Sequence, residues 1–185
     1  MLGSSSTAPD RTRRGRYGDI VKLSSDMQRV VDEQRLGFVA TVSGDGRPNL
    51  SPKGTLIVLD DEHLMFADIA SPGTVANLRL RPTVEVNVVD PIVRKGYRFT
   101  GTATVHVDGP VFERAFAVLA RHGSTTLRQR IRSIVVIDVE SARPLLSPAY
   151  AAGATETELA ERWLRHQQRL HESMPAPPRE EDDHP

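Results

Sequence analysis

The apolar positions of this chain change period along its length. After Ser25 they recur at helical spacing, with Met27, Val30 and Val31 on one side and Leu36 near the end, which is the signature of an amphipathic helix. Ser25-x-x-Gln28 has the spacing of a capping box, and Gly37 supplies a stop. The period then falls to two. Phe38, Ala40 and Val42 share one side of a predicted strand over 38–43, and Gly44-Asp45-Gly46-Arg47 reverses the chain, because Asp-Gly tolerates positive φ. A second strand is predicted from Pro48 to Leu59, a turn at Asp60-Asp61-Glu62, and a third strand from His63 to Ile69. Tight turns between successive strands make this meander antiparallel.

A short helix follows. Ser71 can cap it, Pro72 occupies the first helical position, and Val75, Leu78 and Leu80 are read as its stripe. Pro82 ends it, since the residue before proline avoids the α region. Thr83 to Val89 alternates again, and Asp90-Pro91 opens a loop holding Arg94 and Lys95. The strand from Gly96 to Val107 is the clearest of all. Tyr97, Phe99, Ala103, Val105 and Val107 share one face, and Arg98, Thr100, Thr102, Thr104 and His106 the other. A helix with Phe112, Ala115, Phe116 and Leu119 comes next; 124–130 fits helix or loop, 133–139 is the last strand, and 141–153 reads as irregular. Thr155-x-x-Glu158 starts a final helix with Leu159, Trp163, Leu164 and Leu170 against a charged face. The sum is a mainly β chain with inserted helices, α+β in class. Its six strands on short turns suit a small closed or split barrel.

Length and charge narrow the choices. A chain of 185 residues fits one compact domain, placed at 19–172. It is flanked by a basic leader at 1–18 and a proline-rich acidic tail at 173–185, both expected to be disordered. The leader's Arg11, Arg13, Arg14 and Arg16 lack the aromatics that base stacking would use. There is no cysteine, which excludes disulfides, thiolate metal sites and cysteine nucleophiles. Basic and acidic residues balance at 24 each, so neither nucleic acid nor an anionic membrane is an expected partner. No apolar run approaches the roughly 20 residues of a bilayer span, and no secretory signal is evident, so a cytoplasmic location is expected. The six histidines form no metal-ligand spacing, and no metal site is expected. Nucleophile-elbow, Walker and dinucleotide fingerprints are missing.

The remaining chemistry lies between Pro48 and Leu78. Ser71-Pro72-Gly73-Thr74 either starts a helix well or presents open backbone N–H groups and two hydroxyls to an anion. Lys53, next to the apolar run Leu56–Leu59, either snorkels to solvent or pairs with an anion. Arg98 is a second candidate cation, or one rung of a polar ladder.

Four segments in order, GFVATVSGDGRPNLSPKG, LMFADIASPGTVANLR, PTVEVNVVD and GYRFTGTATV, resemble the flavin-binding split-barrel family related to pyridoxamine 5′-phosphate oxidase. The resemblance runs from about Leu36 to Val107 and more weakly to Val139. It implies a six-stranded antiparallel split β-barrel, dimeric, with flavin mononucleotide (FMN) bound at the interface of a homodimer. It places Asn49, Leu50, Ser51, Pro52, Lys53 and Gly54 along the ring, and Ala67 and Asp68 beside the cofactor, Asp68 either as a candidate acid or base or as partner of a ribityl hydroxyl. Ser71, Gly73, Thr74 and Asn77 fall at its phosphate, with Lys53 or Arg98 supplying charge. The implied activity is an FMN-dependent oxidoreductase acting on a small molecule, with no other side chain marked as acid or base. The family's oxidases carry Arg-Lys where this chain has Pro72-Gly73, and Arg94 and Lys95 of a partner subunit are further sources of charge. This departure also admits the deazaflavin F420 in a reductase, or a flavin-binding protein without turnover. An Arg-x-His motif near the C-terminus is missing, so pyridoxamine phosphate is not the expected substrate.

Overall fold

The computed structural model describes residues 21–123 and 125–174, with backbone only at 125–127. The expected leader and the tail from 175 lie outside the described residues. In chain order the elements are α1 (Ser25–Gln34), β1 (Gly37–Val42), β2 (Pro48–Lys53), β3 (Ile57–Val58), β4 (His63–Asp68), α2 (Pro72–Leu80), β5 (Thr83–Asp90) and β6 (Lys95–His106). Then come α3 (Gly109–Arg121), a 3-10 turn (Thr125–Arg130), β7 (Ser133–Leu146), α4 (Pro148–Ala151) and α5 (Glu156–Glu172).

The strands form one antiparallel sheet in the order β2-β1-β5-β6-β7-β4-β3. Its two edge strands, β2 and β3, are consecutive in sequence. Laid flat, seven strands would hold them about 29 Å apart. The chain from Lys53 to Ile57 reaches at most about 14 Å. The sheet therefore curls into a split barrel, and Gly54–Leu56 crosses the seam. Gly37 permits this closure: a Cβ there would stand 2.2 Å from the Leu56 side chain.

Burial explains two styles of strand sequence. Leu64, Phe66, Val135 and Ile137 face the barrel interior with Val39, Val86, Val88 and Phe99. Their neighbours Met65, Ala67, Ile134 and Val136 lie under Phe112, Ala115 and Leu119 of α3. Strands β4 and β7 are thus covered on both faces and read as continuous apolar runs. Among the described residues nothing covers the outer faces of β1, β2 and β5. Phe38, Val42, Leu50 and Val89 are exposed there, so the Phe38–Ala40–Val42 side turns away from the core and Gly37, Val39 and Thr41 turn inward. Helices α1 and α2 close the barrel with Val30, Val31, Val75 and Leu78.

Several boundaries differ from expectation. The run predicted as one strand over 48–59 breaks after Lys53, because Thr55 turns its hydroxyl onto both backbone groups of Ala67, at 3.0 and 3.1 Å. One strand becomes two, and the count rises from six to seven. The last strand continues through the segment that reads as irregular. Residues 141–146 pair with β6 beyond a register shift at Thr100/Gly101, so the β6 ladder overrides the weak local pattern. The cap of α1 is Ser24, one residue early: its hydroxyl accepts from the Met27 N–H. The helix ends at Arg35 in the left-handed region, φ 50°, before Gly37. The 124–130 region resolves as the 3-10 turn over Thr125–Arg130. The second capping box forms as expected, between Thr155 and Glu158.

Candidate functional site

Lys53 is the last residue of an edge strand and points inward. Its inward neighbours along β2 are Ser51 and Asn49, which pair with Val39 and Thr41 of β1. The residue is 3% exposed. Its ammonium donates to the Ser51 hydroxyl at 2.5 Å and the Ser71 hydroxyl at 2.8 Å, and it lies 5.5 Å from the centre of the Phe66 ring. Among the described residues no carboxylate lies within ion-pair distance of it. Burial lowers its pKa from the ordinary 10.5, and the field of Asp68 offsets part of that. A buried cation held only by neutral hydroxyls is costly unless an anion completes it.

Ser71 occupies the N-cap of α2, yet its side chain makes no capping bond. The hydroxyl is engaged by Lys53, and the Ser71 N–H donates to Asp68 Oδ1 at 2.8 Å. Asp68 is itself buried at the end of β4. The first-turn N–H groups of α2 have no intrahelical acceptor. A Cβ added at Gly73 or Gly54 would meet no protein atom within 4 Å. The backbone beside Lys53 is therefore approachable on both sides of the ammonium.

Below this position an amide-hydroxyl cluster fixes α2 to the sheet. The amides of Asn49 and Asn77 both donate to Thr41 Oγ1 at 3.0 Å, and Asn49 reaches Thr74 Oγ1 at 3.4 Å. Thr41 is the hub of this cluster and was invisible in the linear pattern. The only signal for it is its inward parity with Val39.

The fold thus brings together Asn49, Ser51, Lys53, Asp68, Ser71, Thr74 and Asn77, with Gly54 and Gly73 at the rim. Ala67 is buried beneath α3 and held by Thr55. Leu50 and Pro52 project from the opposite face of β2 and are exposed. Arg98 also lies on that outer face, since it shares a row with Asn87, Phe38 and Pro52. It bonds Asn87 Oδ1 at 3.1 Å and Glu85 at 3.2 Å, so within one chain it does not meet Lys53. The parity of β6 decides this. Arg94 and Lys95 are tied to the C-terminal helices. The Arg94 guanidinium stacks 3.5 Å from the centre of the Trp163 ring, and Lys95 pairs with Glu156 and lies over Tyr150.

A curled split barrel with a buried lysine at the start of a capping helix defines the class. The family model for pyridoxamine 5′-phosphate oxidase matches residues 23–145, and the chain belongs to that family. It is similar to HupZ of Group A Streptococcus, with 27% identity and a TM-score of 0.59 over 68% of this chain and 95% of that one. An FMN-binding protein from Syntrophomonas wolfei shares the fold at 14% identity and TM-score 0.53, over 64% of this chain and 82% of that one. An F420 reductase does so at 20% and 0.53, over 65% and 98%. An uncharacterized protein of Methanocaldococcus jannaschii is 31% identical over 96 residues, 50% of this chain. The chain spans 63% of the length of that relative. Among the described residues no helix is long and apolar enough to cross a membrane.

Proposed function

We propose that this chain is an FMN-dependent oxidoreductase acting on a small molecule, with the flavin held at the interface of a homodimer. The observation that carries the reading is the buried Lys53 ammonium, bonded only to Ser51 and Ser71 beside the open start of α2. That donor set fits a phosphate-bearing cofactor. The oxyanion would take the Lys53 charge, the Ser71 and Thr74 hydroxyls and the first-turn N–H groups. Asp68, beside the same pocket, is placed to accept from a ribityl hydroxyl.

The cofactor, when bound, supplies the hydride chemistry. The chain's part is to bind and orient it. Ser51 to Gly54 line the ring edge with backbone groups of an edge strand. No described side chain is assigned as a proton donor or acceptor.

Support for the dimer is the uncovered outer face of β1, β2 and β5. Phe38, Val42, Leu50 and Val89 are 46, 40, 65 and 39% exposed there, and exposed large apolar side chains gathered on one face mark interfaces. A partner on this face would also bring its Arg98 toward the edge of β2.

The second reading is an F420-dependent reductase on the same fold. It is favoured by Pro72-Gly73, where the family's oxidases carry a basic pair, and by the F420 reductase among the similar structures. The deciding experiment is the absorbance spectrum of the purified protein, with any released cofactor identified by mass. FMN supports the first reading and F420 the second. A bound flavin that oxidises no donor leaves a binding protein. A colourless protein whose melting temperature neither cofactor raises ends both.

A further inference from the structure

Helix α2 has two flanks about 180° apart around its axis. Thr74 and Asn77 lie on one, against Thr41 and Asn49. Pro72, Ala76 and Arg79 lie on the other, beside a groove of about 230 Å³ that Asp68, Arg132 and Ser133 close from the sheet side. The cofactor pocket proposed above uses the first flank and leaves the second without a role.

Three observations point to a ligand on the second flank. Ser133 stands directly opposite Asp68 in the β4–β7 pair and is 2% exposed, and its hydroxyl has no hydrogen-bond partner. Buried hydroxyls without partners are rare, and this one lines the groove. Arg79 and Arg132 both border the groove, and neither has a carboxylate partner among the described residues. A second groove of about 390 Å³ adjoins it through Arg132 and adds Arg130, which has no carboxylate partner among the described residues either. Three guanidiniums therefore follow one path from α2 to the 3-10 turn. Planar guanidinium forks suit oxyanions. Asp68 is the one opposing charge, and its carboxylate already accepts the Ser71 N–H and sits in the field of Lys53.

We propose that this groove is a second oxyanion site, separate from the Lys53–Ser71 position. Arg79 and Arg132 grip a phosphate or carboxylate group, and the Ser133 hydroxyl donates to it. The group belongs either to an anionic substrate or to a cofactor whose negative charge continues beyond its first phosphate, as the carboxylate tail of F420 does. The site does not depend on the flavin reading.

The test uses inorganic phosphate and the full chain. Melting temperature is followed as sodium phosphate replaces sodium chloride at constant ionic strength. Wild type, Lys53→Met, Ser133→Ala and the double variant Arg79→Gln/Arg132→Gln are compared, with circular dichroism to verify folding. Saturable stabilisation is expected in wild type and in Lys53→Met. On the Lys53→Met background, which disables the first phosphate position, it should weaken about tenfold with Ser133→Ala, as for loss of one charge-assisted hydrogen bond, and vanish with Arg79→Gln/Arg132→Gln. Phosphate binding retained by Arg79→Gln/Arg132→Gln on that background, or no saturable effect in Lys53→Met, overturns the proposal. Titration of the double variant with FMN and F420 then separates the sources. Selective loss of F420 affinity assigns the groove to the cofactor. Unchanged affinity for both, with phosphate binding lost, assigns it to the substrate.

Discussion

The Lys53 ammonium lies 2.8 Å from the Ser71 hydroxyl, joining the end of an edge strand to the N-cap of α2 across 18 residues of sequence. Both groups give up an ordinary role for this contact. Lys53 forgoes solvent, and Ser71 forgoes capping its own helix. The pair suits an anion that bonds to both groups from one side, as proposed above.

Replacing Lys53 by Met is expected to weaken cofactor binding by about 1.5–3 kcal/mol, the worth of a charge-assisted hydrogen bond. The free protein should be at least as stable as wild type in urea, because a buried charge without an ion-pair partner is removed. Flavin fluorescence titration measures the first effect. An unchanged dissociation constant would remove Lys53 from the site.

Stability of the free protein should rise with pH in the alkaline range. Burial lowers the Lys53 pKa below 10.5. Between the folded value and 10.5 the unfolded chain binds the extra proton, so deprotonation favours the folded state. The cost of the buried charge is fully present below the folded pKa and fades as pH climbs toward 10.5. Cofactor affinity should move the opposite way, falling over the same window as the ammonium is lost. Urea midpoints against pH, with Lys53→Met as the flat reference, check both signs.

Gly73→Val tests the approach to the helix start without disturbing the fold. No protein atom lies within 4 Å of a Cβ there, so stability should change by no more than about 1 kcal/mol. Cofactor binding should be lost. A variant that folds and still binds flavin normally would place the phosphate elsewhere.

Gly101→Ala and Gly37→Ala should both destabilise, and by different amounts. At Gly101 the added carbon would lie 2.0 Å from the Asp138 carbonyl oxygen, a backbone atom in the neighbouring strand. At Gly37 it would meet the Leu56 side chain at 2.2 Å, which can rotate away. A cost of about 1–3 kcal/mol is expected at Gly37 and a larger one at Gly101, read from urea midpoints.

Leu50→Glu addresses the uncovered sheet face. Leu50 is 65% exposed and points away from Lys53, so the chain should fold. A charge there should halve the mass measured by light scattering and weaken cofactor binding with it. An unchanged mass would count against a dimer through this face.

Much of this arrangement was legible in the linear pattern. Alternation along 96–107 marked the β6 ladder, and Asp-Gly and Ser-Pro marked the turn and the start of α2, because turns and caps are local chemistry. The family resemblance pointed to Asn49, Ser51, Lys53, Ser71, Thr74 and Asn77, and the fold gathers them at one end of the barrel. The break after Lys53 and the length of β7 were not legible. Thr55 and the β6 pairing impose them from distant parts of the chain.

What the sequence determined by itself is which segments are strands or helices and which side of each is apolar, since both follow from spacing along the backbone. Only the tertiary structure decided which side meets which. It closed β2 onto β3, buried Lys53 against two hydroxyls and put Arg98 on the far face. Among the described residues it also left the Ser133 hydroxyl without a partner, beside Arg79 and Arg132. The reason is that a lysine or a serine carries no sequence mark of its burial. Burial is set when strands far apart in the chain curl together, and it is burial that turns an ordinary polar side chain into a ligand-binding group.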